Sequence, residues 1–436
     1  MKHTDIIQKL NLEQKCALLS GETVFTTRAL PGKGIPAITL SDGPNGVRKQ
    51  AGAADHLGLN PSVPATCFPT SSATACSWDE KLGEAVGEAL GEEAAAQEVA
   101  VLLGPGLNIQ RSPLCGRDFE YFSEDPILAG RMAAAYVRGI QKNGISACPK
   151  HFAVNSQELR RMASDSVLDE RTLRELYLTG FEIVVKEAKP KTIMTSYNLI
   201  NGTYANENAH LLQDILRKDW GFDGAVVTDW GGSNDHALGV KNGSTLEMPC
   251  PGGDSIRELM KAVQDGKISE ADVDARLDEM LELVLSTHAA VEKAPRTFDA
   301  AAHHKLARRA AAESIVLLRN EGGILPLKPN EKLAVIGDFA ETPRYQGAGS
   351  SAVNALQVDT LLDCIKADDS GITLVGYASG FERQDAADAE KLEEAVALAK
   401  KADTVLLCLG LDELRESEGL DRSDMKLAEN QQQLLA

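Results

Sequence analysis

The sequence predicts an α/β protein in which a (β/α) barrel is followed by a second, incomplete α/β domain. Three observations carry this prediction. Short apolar runs alternate with longer helical patterns between residues 35 and 290, polar side chains follow the ends of those runs, and new apolar runs appear after a polar stretch at 292–304. Alternation of this kind is typical of a parallel sheet whose strands are connected by helices.

The barrel prediction rests on runs that are short enough for buried strands. These runs lie at 37–40, 101–103, 145–149, 192–195 and 225–228. Between them, apolar residues recur at helical spacing over 82–90, 173–185 and 273–284. The predicted first domain covers residues 1–300.

Polar side chains stand just beyond the apolar runs of this domain. They are Asp42, Lys150 with His151, Tyr197, Asp229 and Glu247. In a barrel the C-terminal ends of the strands meet at one mouth, where active sites lie. One such residue is explained equally well as the start of a polar loop, but five in succession favour a site.

The second domain is predicted to cover residues 301–436. Apolar runs at 333–337, 372–376 and 404–410 are predicted strands, and 386–401 is a predicted helix. The last pattern, over 430–436, is helical and has no capping or terminating residue. The chain is therefore expected to be truncated within this domain.

The charge balance bears on possible partners. The chain of 436 residues has 64 acidic and 45 basic residues, which gives a formal net charge of −19. This excess of negative charge argues against a nucleic acid or an anionic membrane as partner and favours a neutral ligand.

The cysteines and the N-terminus bear on cofactors and location. The eight cysteines form no CxxC pair and no Cys/His cluster, so neither a zinc site nor a disulfide framework is predicted, and no cofactor is expected. The N-terminus lacks the apolar core of a signal peptide, and no apolar run reaches the roughly 18 residues of a membrane span. We therefore expect a cytoplasmic protein.

Asp229 is the first candidate for chemistry. It follows the run 225–228 and precedes Trp230 and two glycines, so a carboxylate stands beside an aromatic face. Sugars are bound by such pairs, with ring faces on aromatic side chains and hydroxyls on charged groups. The alternative is that Asp229 caps the helix that follows, a common position for Asp after a strand.

Other segments have ordinary explanations beside functional ones. Asp42 is followed by Gly-Pro, whose turn chemistry would explain it without a function. The loop 116–126 is dense in charged and aromatic residues, and Lys150 with His151 suits a ligand rich in hydroxyls. The charged loop 415–422, taken alone, is more simply explained as a solvated acidic loop.

The glycine-rich segment 347–351 resembles a phosphate-binding loop only in composition. It lacks the Gly-Lys-Ser/Thr ending and does not follow a predicted strand. Nucleotide binding is therefore not predicted.

Taken together and in order, these segments resemble the signature segments of glycoside hydrolase family 3, which includes many β-glucosidases. The matching segments are Ser41-Asp42-Gly43-Pro44 through Arg48, 116–126, Lys150-His151-Phe152, Ser196-Tyr197-Asn198 and Val227-Thr228-Asp229-Trp230. The resemblance implies a (β/α)8 TIM-like barrel followed by an α/β sandwich, with the active site at their junction.

The resemblance also implies roles for individual residues. The nucleophile falls on Asp229, and the general acid/base falls on Glu418 in the second domain. Leu420 stands where the family's Glu-Gly-aromatic-Asp-Arg pattern usually has an aromatic residue, and Glu416 is close by. Sugar-binding positions fall on Asp42, Arg117, Lys150, His151, Arg161 and Tyr197, with Met194 and Trp230 as walls of the site.

The implied activity is retaining hydrolysis of terminal β-D-glucosyl residues from an oligosaccharide or an aryl or alkyl β-glucoside. The cations around Asp229 are expected to keep it ionised, and the pKa of Glu418 is expected to be raised. The alternatives are a β-xylosidase or α-arabinofuranosidase of the same family, and a truncated chain that binds sugar without turnover. A homo-oligomer is left open.

Overall fold

A computed structural model of the chain describes residues 1–52 and 60–436. Its strands are β1 (Leu40–Asp42), β2 (Val101–Leu103), β3 (Ser146–Ala147), β4 (Asp165–Ser166), β5 (Thr192–Met194), β6 (Leu199–Ile200), β7 (Thr203–Tyr204), β8 (Ala225–Val227), β9 (Lys332–Ile336), β10 (Thr373–Ala378) and β11 (Thr404–Leu407).

The α-helices are α1 (Thr4–Ile7), α2 (Leu12–Ala17), α3 (Ser71–Ala75), α4 (Glu80–Ala96), α5 (Pro126–Gln141), α6 (Glu170–Thr172), α7 (Thr179–Ile183), α8 (His236–Asn242), α9 (Asp254–Gln264), α10 (Glu270–Lys293), α11 (Ala300–Glu313), α12 (Leu361–Lys366), α13 (Ala389–Ala399) and α14 (Glu429–Leu435). Turns of π-helix occupy Leu173–Tyr177, Val184–Ala188 and His210–Asp219. None of the helices in the described ranges has both the length and the apolar character needed to cross a bilayer.

The first domain is organised around short parallel strands. β1, β2 and β3 form one parallel sheet, and β5 pairs in parallel with β8. Single bridges continue the circuit: parallel at Phe152–Thr195, Val227–Leu246 and Ser20–Glu247, and antiparallel at Gly21–Thr27 and Thr26–Thr39. The predicted parallel strands are present, and they form a barrel-like circuit in which strands of two or three residues alternate with single bridges.

Two prolines contribute to this irregularity. Pro105 lies two residues beyond β2, and Pro149 lies two residues beyond β3. A proline has no N–H to donate, so it interrupts the hydrogen-bond ladder of a sheet. The ladder is interrupted at these prolines and resumes in the single parallel bridge Gly106–Lys150, after which the chain enters the loops of the barrel mouth.

The helices surround the strands and pack closely. The predicted helix 82–90 lies inside α4, where the Asp79 carboxylate caps the first turn by accepting from the N–H groups of Lys81 and Leu82. Gly87 allows α5 to approach, because a Cβ at this position would lie 2.4 Å from the carbonyl oxygen of Tyr136. In the sequence α4 precedes β2 and α5 precedes β3. The two helices pack closely on each other beside the core that contains both strands.

The helical segment predicted over 173–185 differs in detail from a regular α-helix. It alternates between α6, a π-turn, α7 and a second π-turn. The Thr179 hydroxyl donates to the carbonyl oxygens of Arg174 and Glu175, at 3.0 and 2.8 Å. These bonds provide partners for backbone carbonyls at the change from π to α geometry.

The second domain contains a parallel sheet in the order β10-β9-β11. β9 is the central strand, and its Leu333 and Val335 pack against Leu362 of α12. On the other face Ile336 packs against Ala395 of α13. The predicted strands are confirmed, except that β11 ends at Leu407 rather than at Gly410.

The linker helix α11 connects the two halves. Its His303 is 7% exposed, and Nδ1 lies 2.7 Å from Glu93 Oε1 of α4. The other oxygen of Glu93 accepts from the N–H of Thr66 at 2.9 Å. Phe298 stacks on the His303 ring with 5.5 Å between centroids. This buried cluster holds the start of the second half against the barrel.

Candidate active site

A cavity of about 370 Å³ lies at the carboxyl ends of the barrel strands, where the second domain covers them. It is lined by Phe25, Asp42, Arg117, Lys150, His151, Arg161, Met162, Met194, Tyr197, Asp229, Trp230, Gly231, Ser350 and Glu418. All ten residues that the sequence proposed for the site are in this set. They come from loops that are as much as 376 positions apart, from 42 to 418.

Asp229 stands two residues beyond β8 and is 9% exposed. One carboxylate oxygen, Oδ1, accepts a 2.8 Å hydrogen bond from the N–H of Trp230. The other, Oδ2, lies 3.6 Å from His151 Nε2. The alternative role as a helix cap is wrong, because α8 begins at His236 and is capped by the side chain of Asp235.

Glu418 reaches the same cavity from the second domain. Its Oε1 accepts from Arg161 Nη1 at 2.9 Å and lies 3.4 Å from Arg117 Nη1. Its Oε2 accepts from the N–H of Ser350 at 2.7 Å and from the Ser350 hydroxyl at 2.5 Å. Every polar partner of this carboxylate therefore donates to it.

The two carboxyl groups have the opposite pKa shifts to those expected from the sequence. Burial raises the pKa of Asp229 above its ordinary range and outweighs the cations Arg161, Arg117 and Lys150. Burial also opposes the charge on Glu418, but Arg117, Arg161 and the two Ser350 hydrogen bonds outweigh it and hold the pKa of Glu418 well below its ordinary range. The difference arises because the donors converge on Glu418, whereas Asp229 receives one backbone N–H.

A buried ion-pair cluster forms the floor of the cavity. Glu120, which is 0% exposed, accepts from Arg117 Nε at 2.7 Å through one oxygen and lies 3.1 Å from Lys150 Nζ through the other. Both cations are held in fixed positions beside the reacting groups. Burial opposes the charge on Lys150, but the carboxylates of Glu120, Asp42 and Asp229 raise its pKa, so the ammonium group stays charged.

The remaining polar candidates take distinct positions around the cavity. Burial raises the pKa of Asp42 to about 6, although Lys150 opposes the shift. The Tyr197 hydroxyl donates to the carbonyl oxygen of Trp230 at 2.9 Å, and the Arg161 guanidinium lies 4.9 Å from the Tyr197 ring centroid. Tyr197 thus connects the loop of the predicted nucleophile with a cation that also binds Glu418.

Apolar side chains form the walls. Trp230 donates through Nε1 to the carbonyl oxygen of Val24 at 2.7 Å, and its ring lies 5.3 Å from that of Phe25. Met194, at the end of β5, is 2% exposed, whereas Met162 is 55% exposed at the rim. A ring with polar edges and apolar faces suits a cavity of this kind.

Comparison with protein families places the chain. Residues 53–283 match the N-terminal domain of glycosyl hydrolase family 3, and residues 315–436 match the C-terminal domain of the same family. The chain belongs to glycosyl hydrolase family 3. The predicted fold class, a TIM-like domain followed by an α/β sandwich domain, is confirmed for this family 3 chain by that match and by its solved relatives.

Individual family 3 proteins resemble the chain over nearly its whole length. A thermostable β-glucosidase B from Acetivibrio thermocellus is 46% identical over 434 residues, which are 99% of this chain and 57% of that protein. An exo-α-(1→6)-L-arabinopyranosidase from Bifidobacterium longum is 44% identical over 440 residues, 98% of this chain and 58% of that protein. The chain thus spans a little more than half the length of these relatives.

Solved structures show the same likeness. A β-glucosidase from Bifidobacterium adolescentis superposes with a TM-score of 0.91 at 42% identity, covering 98% of this chain and 61% of that one. β-Glucosidase 3B from Thermotoga neapolitana, in complex with glucose, superposes with a TM-score of 0.88 at 34% identity, covering 100% and 66%.

The loop that carries Glu418 in this family 3 chain is fastened to the barrel. The Asp421 carboxylate accepts from the N–H groups of Gly116, Glu158 and Leu159, at 2.9 to 3.1 Å. A side chain at Gly116 would collide with this loop, because its Cβ would lie 1.7 Å from the carbonyl oxygen of Leu420. The backbone contact explains how Leu420 is accommodated: it meets the barrel through its carbonyl.

Sequence reasoning missed several residues of the site. Ser350 lies in the glycine-rich segment that was considered only for phosphates, yet it binds Glu418. Glu120 lies in the loop 116–126, which the sequence analysis singled out, but nothing in the sequence indicates that its carboxylate is buried between two cations. Glu158 accepts from Arg161 at 2.7 Å and from the N–H of Gly419 at 2.8 Å.

Two acidic residues that the sequence had considered lie elsewhere. Glu416 pairs with Arg344 at 2.9 Å and lines a separate cavity. Glu247 follows Leu246, which bridges to Val227 of β8, so it stands at a strand end as expected; it does not line the cavity, and its Oε2 lies 3.6 Å from His236 Nδ1. In residues 1–52 and 60–436, no group of three His, Cys, Asp or Glu side chains has the arrangement of a metal site.

Proposed function

We propose that this chain performs retaining hydrolysis of terminal, non-reducing β-D-glucosyl residues, with Asp229 as nucleophile and Glu418 as general acid/base. The observation that supports this most directly is the shared cavity, which receives Asp229 from the first half of the chain and Glu418 from the second. A retaining mechanism uses two carboxyl groups about 5 to 5.5 Å apart on either side of the glycosidic bond. We propose that the first half covers residues 1–300 and the second half covers residues 301–436.

In the proposed first step Asp229 attacks the anomeric carbon. Its Oδ1 is occupied by the N–H of Trp230, which leaves Oδ2 to form the bond to the sugar. Glu418 donates a proton to the leaving oxygen, and the sugar is held as a glycosyl ester. In the second step Glu418 takes a proton from water, which attacks the same carbon and releases Asp229.

The pKa shifts of Asp229 and Glu418 bear on the protonation state that the reaction needs. The reaction needs one proton on the pair, and it must be on Glu418. The raised pKa of Asp229 and the lowered pKa of Glu418 both oppose this arrangement in the free site. The pH profile of kcat/KM therefore reports on the pair as a unit.

Substitution of Asp229 tests the proposal. Asp229→Ala should abolish nitrophenol release from 4-nitrophenyl β-D-glucoside, because no carboxylate remains to form the glycosyl ester. The matched control is Asp223→Ala, an exposed aspartate before β8, at the opposite end of the strand, which should retain activity. Turnover of the glucoside by Asp229→Ala at the wild-type rate would exclude the assignment.

A second glycone is favoured by one relative. The B. longum protein, 44% identical to this chain, is named as an exo-α-(1→6)-L-arabinopyranosidase. An α-L-arabinopyranoside has a pyranose ring without the exocyclic CH₂OH of a hexose. A panel of 4-nitrophenyl glycosides separates the two: preference for glucoside supports the glucosidase, and preference for α-L-arabinopyranoside supports the alternative. β-Xylosidase and α-arabinofuranosidase activity stay predictions for the same panel.

Sugar binding without turnover is a second candidate, and the charged state of Glu418 favours it. A Glu418 carboxylate held by Arg161, Arg117 and Ser350 cannot donate a proton. This candidate predicts that glucose binds in calorimetry while nitrophenol is not released.

Cytoplasmic location and homo-oligomer formation also stay predictions. Cell fractionation tests the first, and light scattering tests the second.

A further inference from the structure

The polar groups behind His151 form a series of contacts that ends at Asp229. His151 Nε2 lies 3.6 Å from Asp229 Oδ2, and His151 Nδ1 lies 3.2 Å from the Tyr121 hydroxyl. The same hydroxyl accepts from Asn155 Nδ2 at 3.1 Å. The three side chains behind Asp229 are 0 to 2% exposed.

Both ends of this series of contacts favour the same position for the proton on the His151 ring. In the reactive state Asp229 is a carboxylate, which only accepts, so the ring nitrogen that faces it carries the hydrogen. At the other end the Asn155 amide donates to the Tyr121 oxygen, which leaves the Tyr121 hydrogen for a different acceptor. In a neutral imidazole one nitrogen donates and the other accepts, so Nδ1 is that acceptor.

The surroundings keep the ring neutral. Burial lowers the pKa of His151 well below its ordinary range, and the cations Arg117, Lys150 and Arg161 add to the effect. The other charged groups that face this part of the site are Asp42, Glu120 and Glu418. The backbone of His151 is fixed separately, since Asn108 accepts from its N–H at 2.7 Å and donates to its carbonyl at 2.8 Å.

We infer that Tyr121 and Asn155 are positioning residues that hold His151 as the Nε2–H tautomer and direct this N–H at the oxygen of Asp229 that forms the glycosyl ester. The inference rests on the proposed role of Asp229. Neither Tyr121 nor Asn155 lines the cavity; both act through the imidazole. A donor at 3.6 Å is long for a hydrogen bond in the free site and shortens readily as charge on Asp229 is redistributed.

The tautomer is measured directly by long-range ¹H–¹⁵N correlation spectra of the chain labelled in its histidines, with the His151 signals assigned from a His151→Gln variant. We expect the proton on Nε2 in the wild type. In Asn155→Asp the new group cannot donate when ionised, so the Tyr121 hydrogen should turn to it and the His151 proton should move to Nδ1. A wild-type His151 with its proton on Nδ1, or a tautomer unchanged in Asn155→Asp, overturns the inference.

Kinetics give an independent measurement. Tyr121→Phe should lower kcat/KM for the aryl glucoside about tenfold and shift the acidic limb of its pH profile upward, because Asp229 loses a fixed donor. Tyr136→Phe is the control, a tyrosine that is also 0% exposed and packs on Phe122; it should change neither. An unaltered profile in Tyr121→Phe contradicts the inference.

The spectra need no substrate, so they separate this inference from the proposed function. An inactive chain with the Nε2–H tautomer would refute the proposed function alone. An active chain with the Nδ1–H tautomer would refute the positioning role alone.

Discussion

Asp42 is a carboxyl group whose burial lowers the stability of the folded chain when the group is ionised. Burial raises its pKa from 3.8 to about 6. Between these values the unfolded chain has released the proton while the folded chain retains it, so the free energy of unfolding falls as pH rises through this window. Above it the full penalty remains, because the folded state must hold a buried charge that only Lys150 and Arg48 offset.

Asp42→Asn should therefore stabilise the chain by about 3 kcal/mol at pH 7, and the gain should shrink toward pH 4. Urea unfolding at the two pH values measures it, with the exposed Asp223→Asn as control. The same substitution should lower kcat/KM, because Asp42 lines the cavity and its proposed role is to accept a hydrogen bond from a sugar hydroxyl. Equal stability of Asp42→Asn and wild type at both pH values would contradict the raised pKa.

At the scale of elements, the loop 417–421 contacts the barrel through the Asp421 carboxylate, the Glu418 carboxylate and the N–H of Gly419. Asp421 accepts from three backbone N–H groups of the barrel loops, and Glu418 stands three residues earlier on the same turn. A general acid must be placed to within a fraction of an ångström, and a displacement of about 1 Å can reduce the rate up to about 10²-fold. In the proposed mechanism, the fastening at Asp421 helps to hold Glu418 in reach of the leaving oxygen.

Asp421→Ala should lower kcat by about 10- to 10²-fold while circular dichroism stays unchanged. Asp424→Ala is the matched control, since Asp424 is exposed in the same segment and accepts from its near neighbours Lys426 and Ser423. The loss should be smaller for a dinitrophenyl glucoside, whose leaving group needs little acid assistance. A loss of equal size with both substrates would indicate that the loop acts on something other than proton donation.

At the scale of the whole molecule, His303 connects α11 to α4. Burial opposes its charge, but Glu93 and Glu92 outweigh burial and raise the pKa of His303 above 6.5. A raised histidine pKa adds stability that is fully present below the unfolded pKa of 6.5 and is lost as pH rises through the folded value.

His303→Gln should accordingly lower Tm more at about pH 5 than at about pH 9. Thermal unfolding of the variant and the wild type at both pH values measures the effect. His288→Gln, an exposed histidine on α10, should lower Tm little at either pH. A loss that is larger at the higher pH would contradict the assigned ion pair.

The sequence predicted the parallel strands β1, β2, β3, β5 and β8, the strands of the second sheet, and ten of the fourteen residues that line the cavity. Local patterns were sufficient there, because a strand end is marked by an apolar run and the residues after it. The pKa directions were not predictable, since they depend on Arg161, Arg117 and Ser350 meeting Glu418 from positions 257, 301 and 68 residues away. Whether Asp229 caps a helix was likewise not predictable, because the answer depends on where α8 begins.

The role of Asp229 as nucleophile is tested most directly by trapping the glycosyl ester. A 2-deoxy-2-fluoro-β-glucoside with a dinitrophenolate leaving group forms the ester without help from Glu418, and the fluorine slows the hydrolysis that follows. Mass spectrometry of the digested protein should find the fluoroglucosyl group on the peptide that contains Asp229, and Asp229→Ala should not be labelled. Labelling of another carboxylate, such as Asp42 or Glu418, or no labelling of a chain that hydrolyses aryl glucosides, would contradict this account.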